Sequence, residues 1–407
     1  MRQGIFNYLQ SQQEQLLTWQ RELVAFQAVG PENNGPGEAA KAAYLLDLLQ
    51  DWGLQKIWSM PAPDFRVHEG QRPNLAAVLP GRDQSQTFWI VSHLDVVPAG
   101  DPSLWDSDPF GLRQDGDLIY GRGVEDNQHG LVASLLCLQA FLEQGLKPSR
   151  NLGLLLVSDE ETGNKYGLDF VLREHSHIFQ SRDEFLVPDF GIDDSSLLEV
   201  AEKGLLWVKF CIQGKQCHAS TPEKGINSLR AAAKLILGLD FLQKKFPLQD
   251  QMFCPACSTF EPTKKEANVP NVNTIPGRDV FYLDCRVLPD YSLNDVYHVC
   301  QDLANQVAAQ SGARIDLEIV HQEDPAPRTS PEHPLVDKIA QAVQEVYATS
   351  PSPQGIGGGT VAAYLRRAGL PAVVWATLLG TAHQPNEHAS ITNIIKDAKV
   401  MALQLLD

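Results

Sequence analysis

The sequence predicts an α/β protein: a mostly parallel sheet covered by helices, with a smaller α+β domain inserted into it. Three observations carry this expectation. Apolar runs at residues 88–91, 152–157 and 185–187 are short and continuous, as strands buried on both faces are. Helix-like segments alternate with them, as a helix-covered parallel sheet requires. At 407 residues the chain is too long for one comfortable core, so two domains are expected.

Taken in order, residues 5–29 place Leu16, Leu17, Leu23, Val24 and Phe26 at helical spacing among Gln and Glu. The segment PENNGPGE breaks that pattern, and residues 38–52 form a second amphipathic helix ended by Gly53. Strands and helices then alternate to about Phe190, with residues 130–144 as the clearest helix. The style changes after Lys203. An alternating strand at 205–212 leads into the loop GKQCHASTPEKG and a helix at 226–242; strands at 281–287 and 314–320 flank a helix at 294–309. That β-α-β-α-β block reads as a small α+β insert. The chain returns with a helix at 334–347, the loop GIGGGT, a strand at 372–376 and a last helix from Ile391. The expected boundaries are 1–203 and 323–407 for the larger domain and 204–322 for the insert.

Composition narrows the function. With 43% apolar and 20% charged residues the chain is expected to fold rather than stay disordered. A net charge of −17 repels nucleic-acid phosphates and anionic membrane surfaces alike, so neither is an expected partner. The start, MRQGIFNYLQSQQEQLL, holds no continuous apolar signal core, and no stretch nears the roughly 20 apolar residues of a membrane helix. Seven cysteines, an odd number without regular spacing, suit a reducing compartment, and a cytoplasmic location is expected. Cys254 and Cys257 form a lone CxxC, which without a second pair reads as packing rather than a zinc or redox site.

The chemistry-bearing residues follow the apolar runs. Ser92, His93, Leu94 and Asp95 follow the first, Glu160 and Glu161 the second, and Pro188 and Asp189 the third, while Asp126 stands in GRGVEDNQHG ahead of a helix. In open α/β sheets, ligands bind outside the carboxyl ends of the strands. A histidine and several carboxylates so placed look like the ligand set of a hard, oxygen-rich metal site.

In order along nearly the whole chain, SHLDVVP, GRGVEDNQ, SDEETG, VPD, the HAS loop, NTIPG, GGGT and AHQPNEH resemble the motifs of a family of dinuclear zinc hydrolases. That family includes acetylornithine deacetylase, succinyl-diaminopimelate desuccinylase, aminoacylase and glutamate carboxypeptidase. The resemblance implies a zinc-peptidase-like catalytic domain and an insert that serves as dimerisation (lid) domain of a homodimer. It implies two divalent ions per chain, zinc first, with cobalt or manganese as substitutes. His93 and Asp189 would hold one ion, Glu161 and His383 the other, and Asp126 would bridge them. Asp193 and Asp194 remain alternatives to Asp189, and His388 to His383. Asp95 would hold the other ring nitrogen of His93, and Glu160 would be the general base. His218, in the insert, would reach across the dimer to help stabilise an oxyanion. Arg286 would clamp a substrate carboxylate by bidentate pairing, with Asn273 lining the same site. GIGGGT lacks the lysine of a phosphate loop; Gly358, Gly359 and Thr360 would instead let backbone amides approach that carboxylate.

The implied reaction is hydrolysis of the amide bond of an N-acyl amino acid or small peptide by metal-activated water. Desuccinylase or deacetylase and dipeptidase or carboxypeptidase are the competing branches. The alternative of another class is a non-catalytic metal- or amino-acid-binding relative, against which the presence of Glu160 stands. A serine or cysteine hydrolase would need a GxSxG elbow or a cysteine paired with a motif histidine, and neither is present. Relatives often carry Asp and Arg where this chain has Val361 and Ala363, and a Lys-Gly pair where it has Gln128 and His129. None of these four is a metal ligand, so they bear on substrate choice.

Overall fold

The structure is a computed structural model that describes residues 2–406. The chain divides into two compact units. The first holds everything up to Val200 with Thr329–Gln354 and the stretch from Thr360 onward; the second holds Ala201–Arg328 and Gly355–Gly359.

The larger sheet contains β1 (Lys56–Ser59), β2 (Leu75–Leu79), β3 (Asp83–His93), β4 (Arg150–Val157), β5 (Glu184–Gly191), β6 (Leu197–Glu202), β7 (Ser352–Ile356) and β8 (Ala372–Ala376). Their spatial order is β1-β2-β4-β3-β5-β8-β6-β7. The central strands β4, β3, β5 and β8 run parallel, while β1, β2 and β6 pair antiparallel at the flanks. The continuous apolar runs fall on the parallel centre, where both faces are covered; every residue of β4 is buried. The helix Gln128–Glu143 is buried at 13 of its 16 positions, because it lies between β3, β5 and the helices Gln13–Ala25 and Ile391–Leu403. The helical spacing at 5–29 is realised as two helices, Arg2–Gln10 and Gln13–Ala25, separated at Ser11 and Gln12.

Register places the functional residues. His93 ends β3 opposite Val157, the last residue of β4, so both strands release their polar residues at one edge. The same register sets Trp89 against Gly153. A Cβ on Gly153 would lie 2.3 Å from the Trp89 ring. That ring cannot yield easily: its indole N–H donates to Asp183 (2.8 Å) and it packs against Phe179 and Phe185. Gly153→Ala is therefore expected to destabilise the protein by about 1–3 kcal/mol through overpacking. The check is a urea titration, in which the midpoint falls at unchanged m-value.

The second unit is a four-stranded antiparallel sheet in the order Thr259–Lys265, Arg278–Val287, Gly204–Gln213, Arg314–Glu323. The helices Ser228–Gly238 and Leu293–Ser311 pack on one face, over a core that includes Leu206, Val208, Phe210, Phe281 and Leu283. The sequence reading did not include Thr259–Lys265. This edge strand carries Pro262, has no fully buried residue and changes register between Pro262 and Lys264, so it shows no period-2 burial pattern. The helix expected at 226–242 starts at Ser228, where the Asn227 side chain accepts the Arg230 amide (2.9 Å). It stops at Gly238, and a short helix, Phe241–Lys245, follows.

Candidate metal centre

Five separate stretches of the first unit bring imidazole and carboxylate groups together. Nε2 of His93 lies 2.8 Å from Oδ1 of Asp126 and 3.2 Å from Oδ1 of Asp189. The other oxygen of Asp126, Oδ2, lies 3.0 Å from Nε2 of His383, which is 3.1 Å from Oε2 of Glu161. One carboxylate thus faces two imidazoles, one through each oxygen, and each imidazole has a second carboxylate of its own. Two groups of possible metal donors result, His93–Asp126–Asp189 and Asp126–Glu161–His383, which share Asp126. Glu160 belongs to neither.

Local backbone explains how these side chains arrive. Glu160 and Glu161 were expected at a strand end; they lie instead in the 3₁₀ turn Glu160–Thr162, entered through Asp159 at φ 61°. That turn rests on Asp95, whose two carboxylate oxygens accept the amides of Glu160 (3.1 Å) and Glu161 (3.0 Å). Asp95 meets the other ring nitrogen of His93 through two oxygens. The nearest oxygen to Nδ1 of His93 is the Asp95 carbonyl at 3.0 Å, with the carboxylate at 3.5 Å. Asp95 thus faces the imidazole through both main chain and side chain, and its carboxylate also holds the backbone of the two glutamates. Behind the turn, buried Arg72 pairs with Glu38 and lies 3.5 Å from Asp159.

The structure distinguishes the alternatives left open by the sequence. Asp189 lies in the cluster, while Asp193 and Asp194 do not; Asp194 instead accepts the Ser196 amide (2.9 Å). His383, at φ 64°, turns its ring to Asp126 and Glu161, whereas His388 packs against Tyr120 at 5.1 Å between ring centroids. Asn127 was not among the expected residues. Its amide donates to Asp189 Oδ1 (2.6 Å) and to the Pro188 carbonyl (2.8 Å).

Electrostatics indicate what the cluster can hold. Asp95, Asp126, Glu160, Glu161 and Asp189 set five carboxyl groups against two imidazoles. Burial, and then the charge of Asp189, holds the Glu160 carboxyl well above its ordinary range. Burial and then Asp126 push Glu161 up to about 7, and hydrogen bonds to Asp126 and Glu161 push His383 up to about 10. A divalent cation relieves such a surplus of buried negative charge. The Oε1 atom of Glu161 is moreover buried without a hydrogen-bonding partner. An orphaned carboxylate oxygen within a set of imidazole nitrogens and carboxylate oxygens fits a divalent metal.

The remaining expected residues lie elsewhere. His218 is exposed in the second unit, on a two-residue strand paired with Thr274–Ile275, and its Nδ1 lies 2.7 Å from the Ser220 hydroxyl. Asn273 precedes that paired segment, its carbonyl accepting the Ala219 amide (2.8 Å). Arg286 spends three of its five N–H groups within the second unit, two on Asp284 (2.7 and 3.1 Å) and one on the Gly357 carbonyl (2.9 Å). One N–H remains on each terminal nitrogen. A Cβ at Gly357 would meet nothing within 4 Å, and one at Gly358 only Ile356 at 4.0 Å, whereas one at Gly359 would lie 3.2 Å from Glu323. Thr360 belongs to the first unit, its hydroxyl accepting the Ala362 amide (3.2 Å). Val361 and Ala363 are buried, so the positions where relatives often carry charges are apolar packing here. His129 pairs with Asp397 (2.8 Å) and Gln128 is buried; both are absorbed by the helix layer.

A parallel sheet whose strand ends converge on donors suited to divalent cations defines a metal-binding site, and the family and relatives make the class a metal-dependent hydrolase. The pattern of peptidase family M20/M25/M40 matches residues 89–407, and the chain belongs to that family. It is 38% identical over 398 residues to an uncharacterized metallohydrolase of Methanococcus maripaludis, covering 93% of this chain and 95% of that one. It is 27% identical over 379 residues to succinyl-diaminopimelate desuccinylase 2 of a Ruegeria species, covering 92% and 90%. Among solved structures, aminopeptidase PepT of Bacillus cereus matches with a TM-score of 0.76 at 20% identity, covering 97% and 98%, a likeness of fold. Among the described residues, no helix is long and apolar enough to cross a membrane.

Proposed function

We propose that this protein is a cytoplasmic amidohydrolase that cleaves an N-acyl amino acid or small peptide using two divalent ions, zinc first among them. The observation that carries the reading is Asp126, with its two oxygens turned to different histidines, each backed by its own carboxylate. His93, Asp126 and Asp189 would hold one ion, and Asp126, Glu161 and His383 the other. Ions held there supply polarisation of the scissile carbonyl and a lowered pKa for water.

The protein's own groups do the rest. Glu160 lies among the donors without belonging to either group, so its carboxylate takes a proton from the attacking water and returns it to the leaving nitrogen. Arg286 keeps one N–H on each terminal nitrogen for a substrate carboxylate. His218, exposed in the second unit, serves as an oxyanion donor to the site of a second copy in a homodimer built through that unit.

The test is hydrolysis of N-succinyl, N-acetyl and N-formyl amino acids and of dipeptides by zinc- or cobalt-loaded protein. Turnover of acylated amino acids alone makes it a deacylase. Turnover of dipeptides alone makes it a dipeptidase, and silence with metal bound favours a binding protein. Once a substrate is known, Arg286→Lys is expected to raise KM with metal content unchanged. Loss of a charge-assisted hydrogen bond of about 1.5–3 kcal/mol corresponds to about a tenfold to hundredfold loss in kcat/KM. An unchanged KM would remove Arg286 from the substrate site.

A further inference from the structure

The two loops that carry Asp126 and His383 are tied together by two buried glutamates that stay outside the donor groups. Glu125, directly before Asp126, reaches to the loop ahead of His383. Its Oε1 accepts the amides of Leu379 and Gly380 (3.0 Å to the latter). Its Oε2 accepts the amide and the hydroxyl of Thr381 (2.8 Å to the hydroxyl). Glu387, four residues after His383, reaches the other way. Its Oε1 accepts the amides of Glu125 (2.9 Å) and Asp126 (3.1 Å), and its Oε2 accepts the Gly123 amide (3.1 Å) and the Arg122 guanidinium (2.5 Å). Glu125 is 1% exposed and Glu387 fully buried.

Each carboxylate, an acceptor-only group, is thus filled by donors of the opposite loop rather than its own. If capping a turn were their whole purpose, each would serve its own segment. Buried carboxylates are costly to desolvate, and that cost is offset here only while the loops stay crossed. Resting on the hydrolase reading above, we propose that Glu125 and Glu387 are positioning residues that set the separation of Asp126 and His383. Glu387 holds the main-chain nitrogen of Asp126 and bears on both donor groups. Glu125 holds the backbone of 379–381 and bears on the His383 group.

The experiment uses the full-length protein with Glu125→Gln and Glu387→Gln, and Asp397→Asn as control. Glutamine preserves size but offers one acceptor oxygen and turns an NH₂ group toward amide donors. Asp397 is an equally buried carboxylate that accepts from Thr377 and Tyr347 and pairs with His129, outside the donor groups. Zinc retained after dialysis against graded chelator is measured, together with the visible spectrum of cobalt-loaded protein. Both glutamine variants are expected to hold metal about 10–100-fold more weakly and to shift the cobalt bands. Asp397→Asn is expected to lower Tm while keeping wild-type retention and bands. Should the glutamine variants fail to fold, Thr381→Val, which removes one donor to Glu125, is expected to weaken retention severalfold. Wild-type retention and cobalt bands in the glutamine variants, or in Thr381→Val if only that folds, would overturn the crossed tie and leave the hydrolase reading standing. An equal shift in Asp397→Asn would overturn it as well. A wild-type protein that binds no zinc would overturn both.

Discussion

Glu160→Gln is expected to retain the full metal content of the protein and to lose about 10²–10⁴-fold in kcat, the range general acid–base catalysis contributes. The amide is close in size to the carboxyl and neither donor group includes Glu160, so coordination should survive. What disappears is the proton acceptor for the attacking water and the donor for the leaving nitrogen. Steady-state kinetics on the substrate found in the panel, with metal analysis of the same sample, checks both halves. A variant within about fivefold of wild type would assign the proton transfer to another group, because the expected loss is at least about a hundredfold. A variant that loses metal would make Glu160 a ligand.

Asp126→Ala is expected to have the other large effect, emptying both halves of the centre at once. Asp126 is shared by both donor groups, so its loss leaves His93 with Asp189 and His383 with Glu161, two donors each. Structural zinc sites almost always have four ligands and catalytic ones three protein ligands, and two donors do not retain the ion through desalting. Glu161→Ala and Asp189→Ala each leave one donor group whole and should keep about half of the wild-type metal. The effect also shows in stability. Metal at about a thousand times its Kd stabilises a folded protein by about 4 kcal/mol. The zinc-dependent rise in Tm should vanish in Asp126→Ala and shrink in the other two. Retention of half the metal by Asp126→Ala would mean that the bridge is not shared.

Much of this candidate centre is legible in the sequence. His93, Glu161 and Asp189 follow apolar runs, where a buried parallel strand releases its polar residues at its carboxyl end, and the family resemblance singled them out from Ser92, Asp95 and Glu160. Other features had no local signal. The sequence offers two histidines in AHQPNEH, and only the left-handed backbone at His383 sends one ring to Glu161 and leaves the other on Tyr120. Asp95 was expected to act through its carboxylate, yet its carbonyl is nearer the imidazole and its carboxylate carries the Glu160–Thr162 turn. Thr259–Lys265 carries no strand signal, because an exposed edge strand containing proline has no apolar face. Glu125 and Glu387 both lie within quoted motifs, GRGVEDNQ and AHQPNEH, but nothing in a single sequence marks their crossed tie, since the partners of each are more than 250 residues away.

The division follows from the range of the forces involved. Continuous apolar runs, helical spacing and the residues that end them are local properties, and they alone specify a parallel sheet with donors at its edge. Which oxygen of Asp126 faces which histidine, and which glutamate ties which loop, depends on contacts between segments far apart in the chain. Buried carboxylates accept only donors that the folded chain brings to them, so those assignments exist only once the sheet has closed around them.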